Sequence, residues 1–163
     1  MNHPRNTVII VALALFLFSG GSARAGSKND LPNDVTIELL GRCVLYSFSF
    51  QHTFEERMGI EAGFSILGGS GGSSSSTVTF FSGGGRLYLT TKDASPCIAG
   101  GFVVVTASTS SGPFSSGGSS GYGYIGPGFE YRSSSGFLFR GTVYFLVRDG
   151  FFVWPGAQFG IAF

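Results

Sequence analysis

The sequence predicts an all-β fold, an eight-stranded antiparallel up-and-down transmembrane β-barrel. Short runs alternate between apolar side chains and small or polar ones, a two-residue period that is typical of strands with two different faces. Charged residues make up 12% of the chain, which contains 18 Phe and 27 Gly, whereas soluble proteins carry about 25% charged residues. Short polar turns also alternate with longer connections, as in barrels that cross membranes with strands.

Residues 1–25 predict a signal peptide that is removed on export. A short polar segment with Arg5 precedes the apolar run at 7–18, and Ala23-Arg24-Ala25 supplies an A-x-A cleavage pattern. The apolar run is shorter than the ~20 residues of a transmembrane helix. We therefore expect one barrel domain over residues 26–163.

Two-residue periodicity predicts the strands in order. They are 35–40, 43–51, 58–67, 77–91, 96–108, 122–132, 137–148 and 156–163. A single long strand over 35–51 is an alternative, but closure of a single-chain barrel favours an even number and hence a hairpin at 41–43. Gly83-Gly84-Gly85 is expected to bend the fourth strand.

The predicted connections fall into two classes. The short turns are 52–57, 92–95 and 133–136, and the longer connections are 68–76, 109–121 and 149–155. Ser and Gly dominate 68–76 and 109–121, a composition that predicts flexible loops. The alternation places all three short turns at one end of the barrel, together with the chain termini.

Six motifs lie along the predicted barrel domain. They are ELLG at 38–41, LYSFSF at 45–50, EAGF at 61–64, YIG at 124–126, GFLFR at 136–140 and WPG at 154–156. Together they resemble a family of small bacterial outer-membrane β-barrel proteins of the OmpA/OmpX-like eight-stranded type. The resemblance covers most of 26–163 and departs at Arg42-Cys43, where the family has Gly/Asn-rich turns. It implies the barrel and specifies no chemistry.

The resemblance also implies location and partners. We expect an integral outer-membrane protein that is a monomer, contacts outer-membrane lipid and has both termini in the periplasm. Phe159, Ile161 and Phe163 resemble the terminal signal that the barrel-insertion machinery reads. The aromatic girdles at the two membrane interfaces have four candidates: Tyr46, Tyr131, Trp154 and Phe163. The formal net charge of +1 gives no indication of a nucleic-acid partner.

The strand faces opposite the Phe-bearing faces carry charge. Six residues share this position: Glu38, Glu61, Arg86, Glu130, Arg132 and Arg140. An eight-stranded barrel has an interior just wide enough for side chains to fill, and unpaired charges there would cost several kcal/mol or more. Three acids and three bases therefore predict an ionic network in the lumen. A polar conduit is the alternative.

The remaining reactive residues give no catalytic pattern. His52 is the only histidine after residue 25, and it lies in the predicted 52–57 turn beside Glu55 and Glu56. The strand layout places Cys43 and Cys97 at opposite ends of the barrel, so we expect two unpaired thiols. No metal-ligand set or phosphate-binding motif is present, and we expect neither a cofactor nor an enzyme.

The sequence thus favours an outer-membrane barrel with a structural or surface-exposed role. A narrow, porin-like passive channel for small solutes is the second hypothesis. A lipid-modifying outer-membrane enzyme is the third, and it would need a His beside a Ser at the membrane rim.

Overall fold

The protein is described by a computed structural model over residues 28, 30–72, 74–111 and 114–163. The predicted signal peptide at 1–25 lies outside these residues. Within the described ranges, no helix has the length and apolar character needed to cross a bilayer.

Eight antiparallel strands form a closed barrel in which each strand pairs with its sequence neighbours and β8 pairs with β1. The strands are β1 Asn33–Leu40, β2 Tyr46–Phe54, β3 Met58–Gly71, β4 Ser74–Tyr88, β5 Ala94–Ser111, β6 Phe114–Arg132, β7 Phe137–Val147 and β8 Phe151–Ala162. The predicted eight-stranded up-and-down fold is confirmed. The hairpin between β1 and β2 is also confirmed, which excludes the single long strand over 35–51.

The two faces of the wall differ in chemistry because successive side chains point in opposite directions. Phe64, Phe81 and Phe102 are exposed on the outer face, whereas Leu138 and Tyr144 are buried inside. With eight strands, the interior is just wide enough for side chains to fill. The apolar surface of this barrel is therefore on its outside.

The barrel has two distinct ends. The terminal mouth contains Asn33, Phe163 and the turns at 55–57, 89–93 and 133–136. The loop mouth contains the 41–45 connection and the far ends of the other three hairpins. At the terminal mouth the backbones of Asn33 and Phe163 exchange two hydrogen bonds of 2.8 and 3.0 Å, which close the ring.

Four strands continue well past the loop mouth. β3, β4, β5 and β6 have 14, 15, 18 and 19 residues, and about 9–11 residues suffice to cross a bilayer. The excess forms a sheet that is exposed on both faces. We call it the projecting sheet, and it comprises residues 68–71, 74–77, 106–111 and 114–119.

The prediction of long loops is wrong for most of the residues concerned, because strands continue into these segments. The 68–76 and 109–121 segments are mostly strand, and in 149–155 strand β8 already begins at Phe151. The hairpin ladders continue because backbone N–H and C=O groups pair regardless of side-chain polarity. A Ser/Gly composition is therefore insufficient to predict a flexible loop here. The glycines at 83–85 likewise lie inside the continuous strand β4.

The predicted turn at 52–57 is shorter than expected. β2 continues to Phe54, and His52 pairs with Ile60 on β3. The turn itself is confined to 55–57, where Glu55 and Glu56 take positive φ angles of 48° and 59°. A polar composition again did not end the strand, because His52 and Thr53 find ladder partners.

The connection between β1 and β2 is also different from the prediction of a simple tight hairpin. Gly41–Cys43 forms a 3-10 turn whose three residues are all buried. We call it the inward turn, since it folds into the lumen. Cys43 consequently belongs to this turn, and β2 begins only at Tyr46.

Candidate functional site in the ionic lumen

The lumen near the terminal mouth contains a first ionic cluster. Arg140 pairs with Asp34 at 2.6 Å and with Glu130 at 2.5 Å. Arg132 pairs with the same two carboxylates at 3.0 and 3.3 Å. Tyr88 Oη donates a hydrogen bond of 2.5 Å to Glu130. Side chains from β1, β4, β6 and β7 thus meet in one closed set of alternating charges.

A second ionic cluster lies closer to the loop mouth. Arg42 of the inward turn pairs with Glu38 at 3.3 Å and also with Glu61. Arg86 Nη2 lies 3.6 Å from Glu61 Oε2. Tyr144 Oη donates to Glu38 Oε1 at 2.7 Å. This cluster joins β1, β3, β4 and β7 to the inward turn.

Gln158 connects the two clusters. Its Nε2 donates to Glu38 Oε1 at 3.2 Å, and its Oε1 accepts a hydrogen bond of 3.4 Å from Arg140. Gln158 is buried on β8 and uses both ends of its amide. The polar network therefore runs continuously along the lumen.

All six residues predicted for the lumen are buried, at 3% exposure or less. The first cluster holds Glu130, Arg132 and Arg140, and the second holds Glu38, Glu61 and Arg86. The structure adds one acid and one base that sequence reasoning missed, Asp34 and Arg42. These buried acids and arginines balance, four against four, so that each charge has an opposite partner.

The two missed residues differ in how they could have been found. Asp34 continues the inward alternation of Thr36 and Glu38 by one step, so an earlier strand start would have included it. Arg42 lies in a turn, where the alternation gives no information. Only the path of the inward turn places it in the lumen.

Lys28 lies over the terminal mouth, outside the strands. Its Nζ donates to Ser95 Oγ at 2.6 Å and to the carbonyl oxygen of Lys92 at 3.2 Å. It also lies 4.3 Å from the centre of the Tyr88 ring. Burial lowers the pKa of Lys28, while Glu130 acts in the opposite direction. Lys28 therefore covers the first ionic cluster at the terminal mouth.

Apolar side chains close the lumen at the other end. Cys43, Phe80, Ala99, Val103, Tyr124 and Tyr144 form a buried cluster. Tyr124 packs edge-on against Tyr144, with ring centres 5.5 Å apart. Tyr124 and Tyr144 contact the second ionic cluster, and Phe80 and Val103 extend the apolar cluster towards the loop mouth. In this structure the lumen is consequently filled along its length.

The other reactive residues lie away from any catalytic arrangement. His52 Nδ1 shares a hydrogen bond of 2.8 Å with Asn33 Oδ1, and its ring packs against Phe54. Cys43 and Cys97 are free thiols and both are buried. Cys97 Sγ accepts a 3.4 Å hydrogen bond from Arg86. Among the described residues, no three His, Cys, Asp or Glu side chains are grouped in a way that could hold a metal.

The four girdle candidates lie at the two mouths. Tyr46 and Trp154 are half-buried near the loop mouth, where Trp154 Nε1 donates to the carbonyl oxygen of Val44 at 3.3 Å. Tyr131 and Phe163 are exposed near the terminal mouth. Of the residues predicted for membrane insertion, the exposed Phe159 and the half-buried Ile161 lie on β8, and the exposed Phe163 follows directly after that strand.

Comparison with known proteins gives structural matches only. Neither protein-family models nor curated protein sequences give a match. The N-terminal β-barrel domain of Pseudomonas aeruginosa OprF is similar, with a TM-score of 0.58 and 12% identity over 80% of this chain and 95% of that chain. Ail, the attachment invasion locus protein of Yersinia pestis, was crystallised with the heparin analogue sucrose octasulfate. It is similar with a TM-score of 0.54 and 13% identity over 80% of this chain and 92% of that chain. The chain therefore has the fold of the eight-stranded outer-membrane β-barrels that these two structures represent.

Proposed function

We propose that this protein is an integral outer-membrane β-barrel with a non-catalytic, structural or surface-exposed role. One observation carries the proposal. The outer wall is apolar, with Phe64, Phe81 and Phe102 each 46% exposed or more, while the lumen is filled by paired charges. Such a wall would be costly in water, whereas it suits a lipid surround. The backbone leaves no open edge within the barrel, which a bilayer requires.

The filled lumen argues against the passive channel as the main role. A solute would have to separate the ion pairs that Arg140 makes with Asp34 and Glu130. Buried pairs resist such separation because each freed charge would lose its compensation. The lipid-modifying enzyme has no support either, since that activity needs a His beside a Ser, and among the described residues the His52 ring contacts Asn33 and Phe54. Neither alternative is favoured by a specific observation.

The projecting sheet supports a surface-exposed role. Residues 114–122 of β6 pair with β5 alone among the described residues, since pairing with β7 starts at Gly123. Residues 67–71 of β3 likewise pair only with β4 in the described ranges. Both edges present unpaired backbone N–H and C=O groups to the solvent, which is where an extended segment of another chain can add.

We further propose the sidedness and the assembly route. The termini lie in the periplasm, and the projecting sheet lies outside the cell. Phe159, Ile161 and Phe163 are the segment that the barrel-insertion machinery reads, because Phe159 and Ile161 alternate along the strand that closes the barrel against β1 and Phe163 follows it directly. The folded protein is a monomer surrounded by outer-membrane lipid.

Two variants, each with one added cysteine, test location and sidedness together. Ser116→Cys lies on the projecting sheet and Ser134→Cys in the 133–136 turn. Cys43 and Cys97 are buried, so they give little background with a membrane-impermeant maleimide. We expect Ser116→Cys to be labelled in intact cells and Ser134→Cys only after lysis, with the folded protein recovered in the outer-membrane fraction.

Other outcomes are equally informative. The reverse labelling pattern would overturn the sidedness. Recovery of the mature protein as a detergent-free monomer in the aqueous fraction would overturn the membrane location. Planar-bilayer recordings complete the test, because steady conductance of the folded wild-type protein would contradict the filled lumen and support the channel.

A further inference from the structure

The Arg42 guanidinium is surrounded by side chains from four strands. Glu38 Oε2 lies 3.3 Å from Nε, and Glu61 Oε1 pairs with Nη1. Ser49 Oγ accepts from Nη2 at 2.7 Å. The Tyr124 ring lies under the guanidinium carbon, 5.7 Å from its centre. This set, which we call the guanidinium cradle, uses β1, β2, β3 and β6.

The cradle is held together without Arg42. Glu38 accepts hydrogen bonds from Ser47, Tyr144 and Gln158, at 3.1, 2.7 and 3.2 Å. These three donors fix its carboxylate from β2, β7 and β8. Departure of Arg42 would therefore leave the carboxylate in place, as a binding site needs.

The hydrogen bonds around the cradle are incompletely satisfied. Glu61 Oε2 is buried and makes no hydrogen bond within the described structure, although Arg86 Nη2 lies 3.6 Å from it. Arg86 Nε and Nη2 and the Oγ atom of Ser65 are also buried without a hydrogen-bond partner in the described structure. Buried polar groups normally find partners. The cradle and its surroundings therefore contain buried donors and acceptors that Arg42 leaves unsatisfied.

The inward turn that carries Arg42 is bracketed by two strained residues. Leu40 has a φ angle of 59° and Val44 has a φ angle of 75°. Side chains with a Cβ avoid this region, and β-branched Val does so most strongly. Such strain persists only when surrounding contacts over-determine it. Here those contacts are the cradle around Arg42 and the apolar cluster around Cys43.

We propose that the cradle is a binding pocket for a guanidinium-bearing monocation with a short apolar stem, which Arg42 occupies as an internal ligand. The inward turn swings out at Leu40 and Val44 when an external guanidinium takes the place of Arg42. Without Arg42 the second ionic cluster has two carboxylates and Arg86, a net charge of −1 that suits a monocation. The apolar stem of the ligand then occupies the position in the apolar cluster that Cys43 leaves. The first ionic cluster closes the pocket on the side of the terminal mouth. The inference rests on the fold and is independent of the proposed location.

Arg42→Ala tests the pocket directly, with folded protein in detergent micelles and butylguanidinium as the probe. We expect the probe to raise the midpoint temperature of unfolding, read by heat-modifiable gel migration, in a saturable way. Butylammonium has the same charge and stem but lacks the planar set of donors that pairs with carboxylates. We expect it to need about a tenfold higher concentration for the same shift. Arg42→Ala combined with Glu61→Gln is the matched control, and it should lose the saturable response.

Cys43 reports on the wild-type protein and covers the case in which Arg42→Ala does not fold. A maleimide should modify Cys43 slowly. Butylguanidinium should increase the rate of this modification about tenfold, because it keeps the inward turn out of the lumen. Cys97 lies beside Arg86, away from the turn, and should stay protected as an internal control. The proposal is overturned if butylguanidinium leaves the Cys43 rate unchanged, or if butylammonium stabilises folded Arg42→Ala equally well.

Discussion

Arg140 on β7 reaches across the lumen to Asp34 on β1, a residue 106 positions away in the sequence, with an Nη2–Oδ2 distance of 2.6 Å. The Nε of the same guanidinium lies 2.5 Å from Glu130 Oε2. One side chain thus compensates two buried carboxylates from different strands. Arg140 fixes the relative positions of β1, β6 and β7 from the inside of the barrel.

Replacing Arg140 with Met should therefore be strongly destabilising. The apolar part of the side chain is kept, but Asp34 and Glu130 each lose an ion pair in a buried site. Removing one partner of a buried pair costs about 3–5 kcal/mol. Urea titration of the folded band, read by heat-modifiable migration, measures the change.

Arg148→Ala is the control for that prediction. Arg148 pairs with Asp149 at 3.4 Å, but the two side chains are 59% and 95% exposed. Exposed pairs contribute at most about 1 kcal/mol, so the unfolding midpoint should hardly move. Equal effects of the two substitutions would contradict the assignment of Arg140 to a buried network.

Tyr88→Phe should cost about 1–3 kcal/mol, because a buried hydroxyl that serves several partners is removed. Tyr88 Oη donates to Glu130 at 2.5 Å and accepts from Gln51 Nε2 at 2.7 Å. Tyr131→Phe removes a hydroxyl from the exposed outer face and should be nearly neutral. Denaturant midpoints of the two variants test this, and a neutral Tyr88→Phe would mean that the hydroxyl is dispensable.

Phe102→Lys and Ser108→Lys compare the barrel wall with the projecting sheet. Both residues lie on β5 and, six positions apart, point to the same side. A lysine near the bilayer midplane costs about 2–4 kcal/mol, so Phe102→Lys should reduce stability and insertion into lipid vesicles. Ser108→Lys should behave as the wild type. If both variants insert equally well, the outer wall at Phe102 is not in contact with lipid.

Gly84→Ala should destabilise the barrel because the interior has no room for a methyl group there. A Cβ at this position would clash with Tyr124 Oη and would lie 2.5 Å from the carbonyl oxygen of Gly100. Overpacking of this kind costs about 1–3 kcal/mol. Gly69→Ala on the projecting sheet meets nothing within 4 Å and is the matched control. Similar unfolding midpoints for the two variants would rule out the tight packing around Gly84.

Sequence reasoning located the inward charges that lie within the predicted strands, but it missed Asp34, which precedes the predicted start of the first strand at residue 35 by one position. The alternation of Ile37 and Leu39 with Glu38 is sufficient to place the carboxylate inside, because a strand has only two faces. The same reasoning fails for Arg42, whose orientation depends on a turn with no periodicity. It also misjudged the Ser/Gly segments, where the ladder continues through backbone hydrogen bonds.

The sequence by itself determined the strand number, the antiparallel order and the chemistry of each face, because these follow from local alternation and from the need to close the ring. Only the tertiary structure decided which charges pair, as with Arg140 and Asp34, and that Arg42 enters the lumen. These contacts join residues that are distant in the chain and become neighbours only after the barrel closes. The extra length of β3 to β6 was likewise decided by pairing between strands, since each long strand persists only where its partner persists.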